Sequence, residues 1–397
     1  MTSAEDPGSN SSMESSGRGF AKTGVVSAGA TSFPPAVVGL VVAITICLRL
    51  GPQPFRKVWA EDGGVFLADF STHGWRSIGY LYSGYLSVPS RLLAALGAAT
   101  LSLRLYPVWC AVSSVVVAGA LAAFVFASAR RRVAWWALVP SLAIAFAPAL
   151  RGESLGNLAN LQDLLIPAAC WASPEQGVTG PAVALAASLA SPLAVFALPI
   201  LAMRRALRST VALVIGLAVQ ATAMLIAPHS AHRGVVRVVP SIRRLLDELS
   251  MSLRLAVVGQ DLRRTGELLV VLVGIVLVLL VTRAQTRPFE SYLFGLCAVG
   301  LAVAAIAPSP KLSDRYLVAP TILLISALTL LKVPRRIARG ALACGVVLAL
   351  MSFPVVAYRR SGRVWNGKAC AGRPVALIAA APRNWGVAVL TCARLRS

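Results

Sequence analysis

Apolar residues in this chain come in long runs. Clear runs lie near 35–51, 106–128, 133–149, 180–203, 209–227, 267–282, 290–307, 316–332 and 340–358. A bilayer core takes about 20 apolar helical residues per crossing, so these runs read as membrane spans. Two stretches are less uniform: 86–104 carries Arg91 and Arg104, and 155–172 carries Asn157, Asn160, Gln162 and Asp163. Each of the two reads as a span, a re-entrant piece or an interfacial helix. Pro192 and Pro199 in "ASPLAVFALP" are placed to split the 180–203 run into a short helical hairpin. The pattern predicts an all-α integral membrane protein of about nine to eleven transmembrane helices.

Composition agrees with that solvent. Hydrophobic residues are 57% of the chain and charged residues 13%, with a mean hydropathy of +0.74, too apolar for an ordinary soluble domain. Residues 1–33 are rich in Ser and Gly and read as a disordered tail. Residues 34–358 form the polytopic membrane domain, and 359–397 a small extracytoplasmic segment. The first apolar run begins near Pro34 without a clear small-residue cleavage site, so it reads as a retained helix.

The net charge of +23 would suit a nucleic-acid partner, but the Arg residues sit mostly between apolar runs and no soluble basic domain carries them. Topology accounts for the excess. With the N-terminus cytoplasmic and both ambiguous stretches interfacial, Arg130–Arg132, Arg204, Arg205, Arg208, Arg283, Arg287, Lys332, Arg335, Arg336 and Arg339 all fall inside. Anionic membrane lipids are then the partners of these loops, with no nucleic acid expected. The same assignment puts the 52–88 loop, "RGESLGNLANLQ", the 228–266 segment, "PSPKLSDRY" and the C-terminal tail outside.

Cys47, Cys110, Cys170, Cys297 and Cys344 lie in apolar runs and read as inert small hydrophobes. Cys370 and Cys392 are the two in the polar tail and are disulfide candidates; two unpaired thiols is the alternative. The β-prone pieces 374–380 and 386–391, separated by "APRN", predict a small hairpin flap.

Carboxylates are scarce, fifteen in 397 residues, and "WAEDGGVFLADF" at 59–70 holds Glu61, Asp62 and Asp69. The surrounding loop is rich in aromatics, including Trp59, Phe66, Phe70, Trp75, Tyr80, Tyr82 and Tyr85, which favour the headgroup layer. It therefore reads as short helices lying on the outer leaflet. On a regular helix Asp62 and Asp69 share a face and Glu61 points about 100° away. A solvated loop or helix cap is the bland alternative. "GNLANLQD" sets Asn157, Asn160 and Asp163 at three-residue intervals, suited to lining a cavity or to bonding between helices.

Several features taken together resemble the GT-C superfamily of polytopic glycosyltransferases over most of residues 35–335. They are a first helix, a long extracytoplasmic loop opening on an acidic pair, Glu153 in "RGESLGNLAN", the Pro-interrupted "LASPLAVFALP", and "SDRY" at the mouth of a late span. The chain is short for that superfamily and lacks a large soluble C-terminal domain. The resemblance implies transfer of a sugar from a polyprenyl-phosphate donor to a glycan or glycolipid acceptor hydroxyl at the outer face of the cell membrane. Such chemistry needs a carboxylate to take the acceptor's proton and cations to hold the leaving phosphate. Asp62 or Glu61 is the candidate base. Glu153 is a second carboxylate to position the acceptor or a divalent cation, and Asp69, Asn157 and Tyr85 are candidate substrate contacts.

For the phosphate, Arg315 in "SDRY" sits at an expected outer boundary. Arg243 and Arg244 lie on an amphipathic stretch, "PSIRRLLDELSMSLRLAVVG", suited to the membrane interface. "HSAH", with His229 and His232, is a weak metal pattern without a third ligand. No P-loop, GxGxxG, CxxC or serine-nucleophile motif is present. A transporter or lipid flippase, or a non-catalytic membrane subunit, is the rival class.

Overall fold

Helix α1 (Pro35–Leu50) starts on a proline, where a missing N–H costs nothing, and stops at Gly51, whose φ of 62° turns the chain away. In the computed structural model the described residues are 33–147, 150, 155–226, 288–306, 317–331, 365, 370, 374–379 and 387–395. They are predominantly helical. After a π-helical turn over Asp62–Leu67 come α2 (Ala68–His73), α3 (Val88–Thr100), α4 (Tyr106–Val133), α5 (Leu138–Phe146) and α6 (Gln162–Cys170). The chain continues through α7 (Thr179–Ala190), α8 (Leu198–Met203), α9 (Leu207–Ile226), α10 (Pro288–Ile306) and α11 (Val318–Leu330). Among the described residues β1 (Val375–Ala379) pairs antiparallel with β2 (Val387–Thr391), Val375 opposite Thr391 and Ala379 opposite Val387.

Among the described residues two helical stretches are long and apolar enough to cross a membrane: Leu103–Phe146, 44 residues containing α4 and α5, and Leu207–Ile226, 20 residues. The apolar helices Pro35–Leu50, Thr179–Ala190, Pro192–Met203, Phe289–Ala304 and Val318–Leu330 are shorter. The runs expected at 267–282 and 340–358 lie outside the described residues.

Helices α1 and α4 meet backbone to backbone. A Cβ on Gly39 would stand 2.7 Å from the Gly119 carbonyl oxygen and 3.0 Å from Ala123 Cβ; one on Gly119 would stand 2.7 Å from the Gly39 oxygen and 3.1 Å from Ala43 Cβ. Each helix thus offers Gly-x-x-x-Ala, the spacing that lets two helices approach where apolar solvent gives no drive to associate.

The 180–203 run is a hairpin. Ser191 is extended, with φ −159°, and its hydroxyl accepts the Leu193 N–H to start a 3-10 turn over Pro192–Ala197 that leads into α8. Helices α7 and α9 run in the same direction, Gly180 lying beside Ser209 and Gly216 beside Ser188. Both mouths of the hairpin open at one end of the bundle. Gln176, just before α7, bonds Ser128 of α4; Arg204, just after α8, donates to Cys170 O at 2.7 Å and to Glu290 Oε1 at 2.7 Å. Arg132 adds a second bond to Glu290, at 3.0 Å, and Arg131 pairs with Glu175 at 3.5 Å.

The traverse between the two ends is made instead by 155–170, one of the stretches that the sequence left open. Its first residues are irregular and buried, and a short 3-10 turn over Ala159–Leu161 feeds α6. The other open stretch is α3, whose 13 residues span roughly 20 Å, short of a bilayer core.

At the end opposite Arg132 and Arg204, the tail folds over the 52–88 segment. Trp365 donates its backbone N–H to Arg56 O at 2.9 Å and its indole N–H to Leu103 O at 2.6 Å. Thr391 N–H reaches Ser71 Oγ at 3.1 Å, and Arg394 donates to Thr72 O. A disulfide joins Cys370 to Cys392, with Cα atoms 5.4 Å apart. Cys47, Cys110, Cys170 and Cys297 are free thiols.

Candidate functional site

The stretch "WAEDGGVFLADF" is packed into the protein rather than laid on its surface. Trp59, Phe66 and Phe70 are buried inside the protein, and of the loop's aromatics Trp75 and Tyr80 are the exposed ones. The aromatics that the sequence suggested for the headgroup layer mostly fill the core between α3, α4 and the tail. Nor do Asp62 and Asp69 act as companions on one face. The π-turn over 62–67 inserts extra residues per turn, so seven residues no longer bring a regular helix back to the same side.

Asp62 is fully enclosed, 0% exposed, and both its oxygens are engaged: Oδ2 accepts the Leu158 N–H at 2.9 Å and Oδ1 the Ala159 N–H at 3.0 Å. These amides begin the 3-10 turn before α6, where no intrahelical acceptor exists. The carboxylate therefore satisfies the backbone exactly where the traverse is broken, a place where unpaired N–H groups would be expensive. Burial pushes the Asp62 carboxyl up to about 7; the Leu158 N–H opposes this, the Glu61 charge adds to it, and the Ala159 N–H opposes it again. Tyr106 donates its hydroxyl to Asp62 O at 3.0 Å, tying the turn to the start of α4.

Glu61, 1% exposed, faces a different set. Its Oε1 accepts the Tyr82 hydroxyl at 3.1 Å. Tyr82 and Tyr85 flank a two-residue turn in which Ser83 has φ 51° and Gly84 φ 87°, both in the left-handed region that a hairpin turn of this kind requires. Their backbones exchange hydrogen bonds of 2.8 and 3.1 Å, and their rings meet edge to face at 6.3 Å. The Tyr85 hydroxyl in turn accepts from Gln162 Nε2 at 3.2 Å. Glu61, Tyr82, Tyr85 and Gln162 thus form one polar line beside the break at 158–161.

Asp69, with a side chain 20% exposed, pairs with Arg91 Nη1 at 2.8 Å. Asn157 is buried and caps the local turn, its Oδ1 accepting the Asn160 N–H at 3.1 Å. The three-residue spacing of Asn157, Asn160 and Asp163 does not make one α-helical face, because α6 begins only at Gln162. Glu153, Arg315, Arg243 and Arg244, with His229 and His232, lie outside the described residues. Among the described residues no three His, Cys, Asp or Glu side chains gather where they could hold a metal ion.

Three partners escaped the sequence reading. Tyr82 was one aromatic among many, although "YSGY" is a legible turn signal. Arg91 marked its stretch as ambiguous, whereas an ionisable residue in an apolar run is by default a functional candidate. Gln162 stood in an ambiguous stretch, and nothing local links it to Tyr85. No protein-family model, curated protein or solved structure matches this chain.

Proposed function

We propose that the protein is a polytopic membrane glycosyltransferase of GT-C type, moving a sugar from a polyprenyl-phosphate donor to an envelope acceptor hydroxyl at the outer face. The observation that carries the reading is the line Glu61–Tyr82–Tyr85–Gln162 beside a broken traverse: a carboxylate, two phenols and an amide, with aromatic rings able to pack on a sugar. Glu61 is the base in this reading. Asp62, spent on Leu158 and Ala159, fixes the break that carries Gln162, and Glu153 serves the acceptor or a divalent cation. Arg315, Arg243 and Arg244 are the cations for the leaving phosphate.

The topology that goes with it has about nine to eleven spans, the N-terminus cytoplasmic and the C-terminus outside. Its support is that the 52–88 segment and the tail gather at one end while Arg131, Arg132 and Arg204 gather at the other. With 155–170 crossing and 179–203 re-entering, each Arg cluster keeps the side given to it by its charge.

Cells lacking the protein should accumulate a polyprenyl-linked sugar and lose one envelope glycan, and Glu61→Gln should fail to restore it at normal protein level. Unchanged glycans and lipid-linked sugars in the deleted strain would sink the reading. The hairpin α7–α8 favours a second one, a lipid transporter, since discontinuous helices also build substrate pathways. Movement of a labelled polyprenyl phosphate across proteoliposomes without sugar transfer would select it.

A further inference from the structure

The tail is attached to the body in two unlike ways. Trp365 is locked down: its backbone N–H meets Arg56 O at 2.9 Å, its indole N–H meets Leu103 O at 2.6 Å, and its ring lies 6.2 Å from that of Tyr106. The hairpin of β1 and β2 is laid on instead. It packs against the Asp62–Leu67 turn, whose N-cap is Glu61, and against α2, with Leu390 and Ala376 in the same buried cluster as Phe66, Leu67 and Phe70. Between described residues two hydrogen bonds hold it there, Thr391 N–H to Ser71 Oγ at 3.1 Å and Arg394 to Thr72 O.

Parting those two bonds strands no buried group. The Ser71 hydroxyl keeps its own bond to Ala68 O at 2.7 Å. Thr72 and Arg394 are exposed already, so water takes over for both. Lifting Trp365 is different, because the buried indole N–H and the Leu103 carbonyl would both lose their partner.

The hairpin is also self-contained. The Cys370–Cys392 disulfide closes it on itself and not on the body, and the Cys392 N–H bonds Pro374 O at 2.9 Å. A staple inside the piece lets it leave its seat without unfolding.

Something over this end has to move for any ligand to reach it, since Glu61 is 1% exposed and Asp62 0%. Moving the Tyr82–Tyr85 turn would dismantle the polar line itself, because its phenols bond Glu61 and Gln162. We propose that the hairpin is a lid: it leaves the Asp62–Leu67 turn and α2 as one folded, stapled piece while Trp365 keeps its seat. Local openings draw on the elements with the fewest buried ties, and this is such an element. The inference stands apart from the transfer reading, since the same end would be uncovered in a transporter or a subunit.

Amide hydrogen exchange on the full-length, oxidised protein in detergent, resolved by residue with electron-transfer fragmentation, separates a lid from an unfolding tail. Thr391 loses its acceptor when the lid lifts, Cys392 keeps Pro374 O inside the lid, and Trp365 keeps Arg56 O below it. Thr391 should therefore exchange about tenfold or more faster than Cys392 and Trp365. Arg394→Ala removes the second tie alone, and should quicken Thr391 several-fold while leaving the other two unchanged. Exchange of Thr391 no faster than that of Cys392, or an Arg394→Ala protein in which Thr391 does not quicken or all three quicken together, overturns the proposal. Ser71→Cys places a thiol under the lid, where the native side chain is buried. A water-soluble maleimide should label it, and faster in Ser71→Cys/Arg394→Ala, with the wild-type protein as the blank for its own cysteines. A folded Ser71→Cys protein that resists labelling overturns the proposal as well; if that variant does not fold, exchange in the wild type decides.

Discussion

The side-chain amide of Gln220 replaces a strand neighbour for Leu86: its Oε1 accepts the Leu86 N–H at 2.8 Å and its Nε2 donates to the Leu86 carbonyl at 2.9 Å. Gln220 is 1% exposed on α9, and Leu86 follows directly on the Tyr82–Tyr85 turn. One glutamine therefore fixes how deep the turn sits. Gln220→Leu should leave both backbone groups of Leu86 unpaired and cost about 2 kcal/mol or more of stability. Unfolding in detergent measures this, and increased proteolysis at residues 80–86 should accompany it.

Asp62 gives a pH signature. Its carboxyl is raised from an ordinary 3.8 to about 7 in the folded protein, so the folded form holds a proton that the unfolded chain releases at lower pH. That contribution to stability is complete below about 3.8 and is lost as pH rises through about 7. The thermal midpoint of the wild type should therefore fall across this window relative to Asp62→Asn, which does not titrate there. The Asn variant sets an N–H donor against one of the Leu158 and Ala159 amides and should be less stable by about 1–3 kcal/mol at the acidic end.

Glu290 is the counter-charge of a buried arginine. Arg204 has a side chain 1% exposed, is bonded to Glu290 and Cys170 O, and lies over Trp171 at 4.8 Å and Phe294 at 5.2 Å. Removing the carboxylate strands that cation. Glu290→Ala should destabilise the fold by about 3–5 kcal/mol, and the double variant Arg204→Met/Glu290→Ala should recover much of the loss. Chemical unfolding of the three proteins checks both statements.

Gly39→Ala tests the closest helix contact. The added methyl would meet the Gly119 carbonyl oxygen at 2.7 Å, a backbone atom that cannot swing aside. Helices α1 and α4 should separate locally, at a cost of about 1–3 kcal/mol. An unchanged unfolding midpoint would mean that the two helices do not pack through these glycines.

The amount of this that the sequence made legible depends on how local each signal is. Apolar runs located α1, α4, α9, α10 and α11 because periodicity and length are properties of contiguous residues. Pro192 announced the hairpin for the same reason. The exchange of roles between 155–172 and 180–203 was hidden, since it depends on contacts such as Gln176 with Ser128 and Arg204 with Cys170, far apart in the chain. At the candidate site, composition drew attention to Glu61 and Asp62, but their different duties are set by neighbours that no spacing predicts. Leu158 and Ala159 stand 96 and 97 residues from Asp62, and Tyr82 stands 21 from Glu61. The π-turn that parts Asp62 from Asp69 was equally invisible, because two glycines at 63 and 64 permit many backbone courses.

Trp365 brings a question of timing. The carbonyls of Arg56 and Leu103 receive their partner from a residue made 262 positions after Leu103, and the hairpin that covers Ser71 and Thr72 is made later still. Since a chain is built from its N-terminus, the end holding Glu61, Asp62 and Arg91 stays uncapped until residues 365–394 have been made. A product truncated before Trp365 would keep its carboxylates and lose the covering that encloses them.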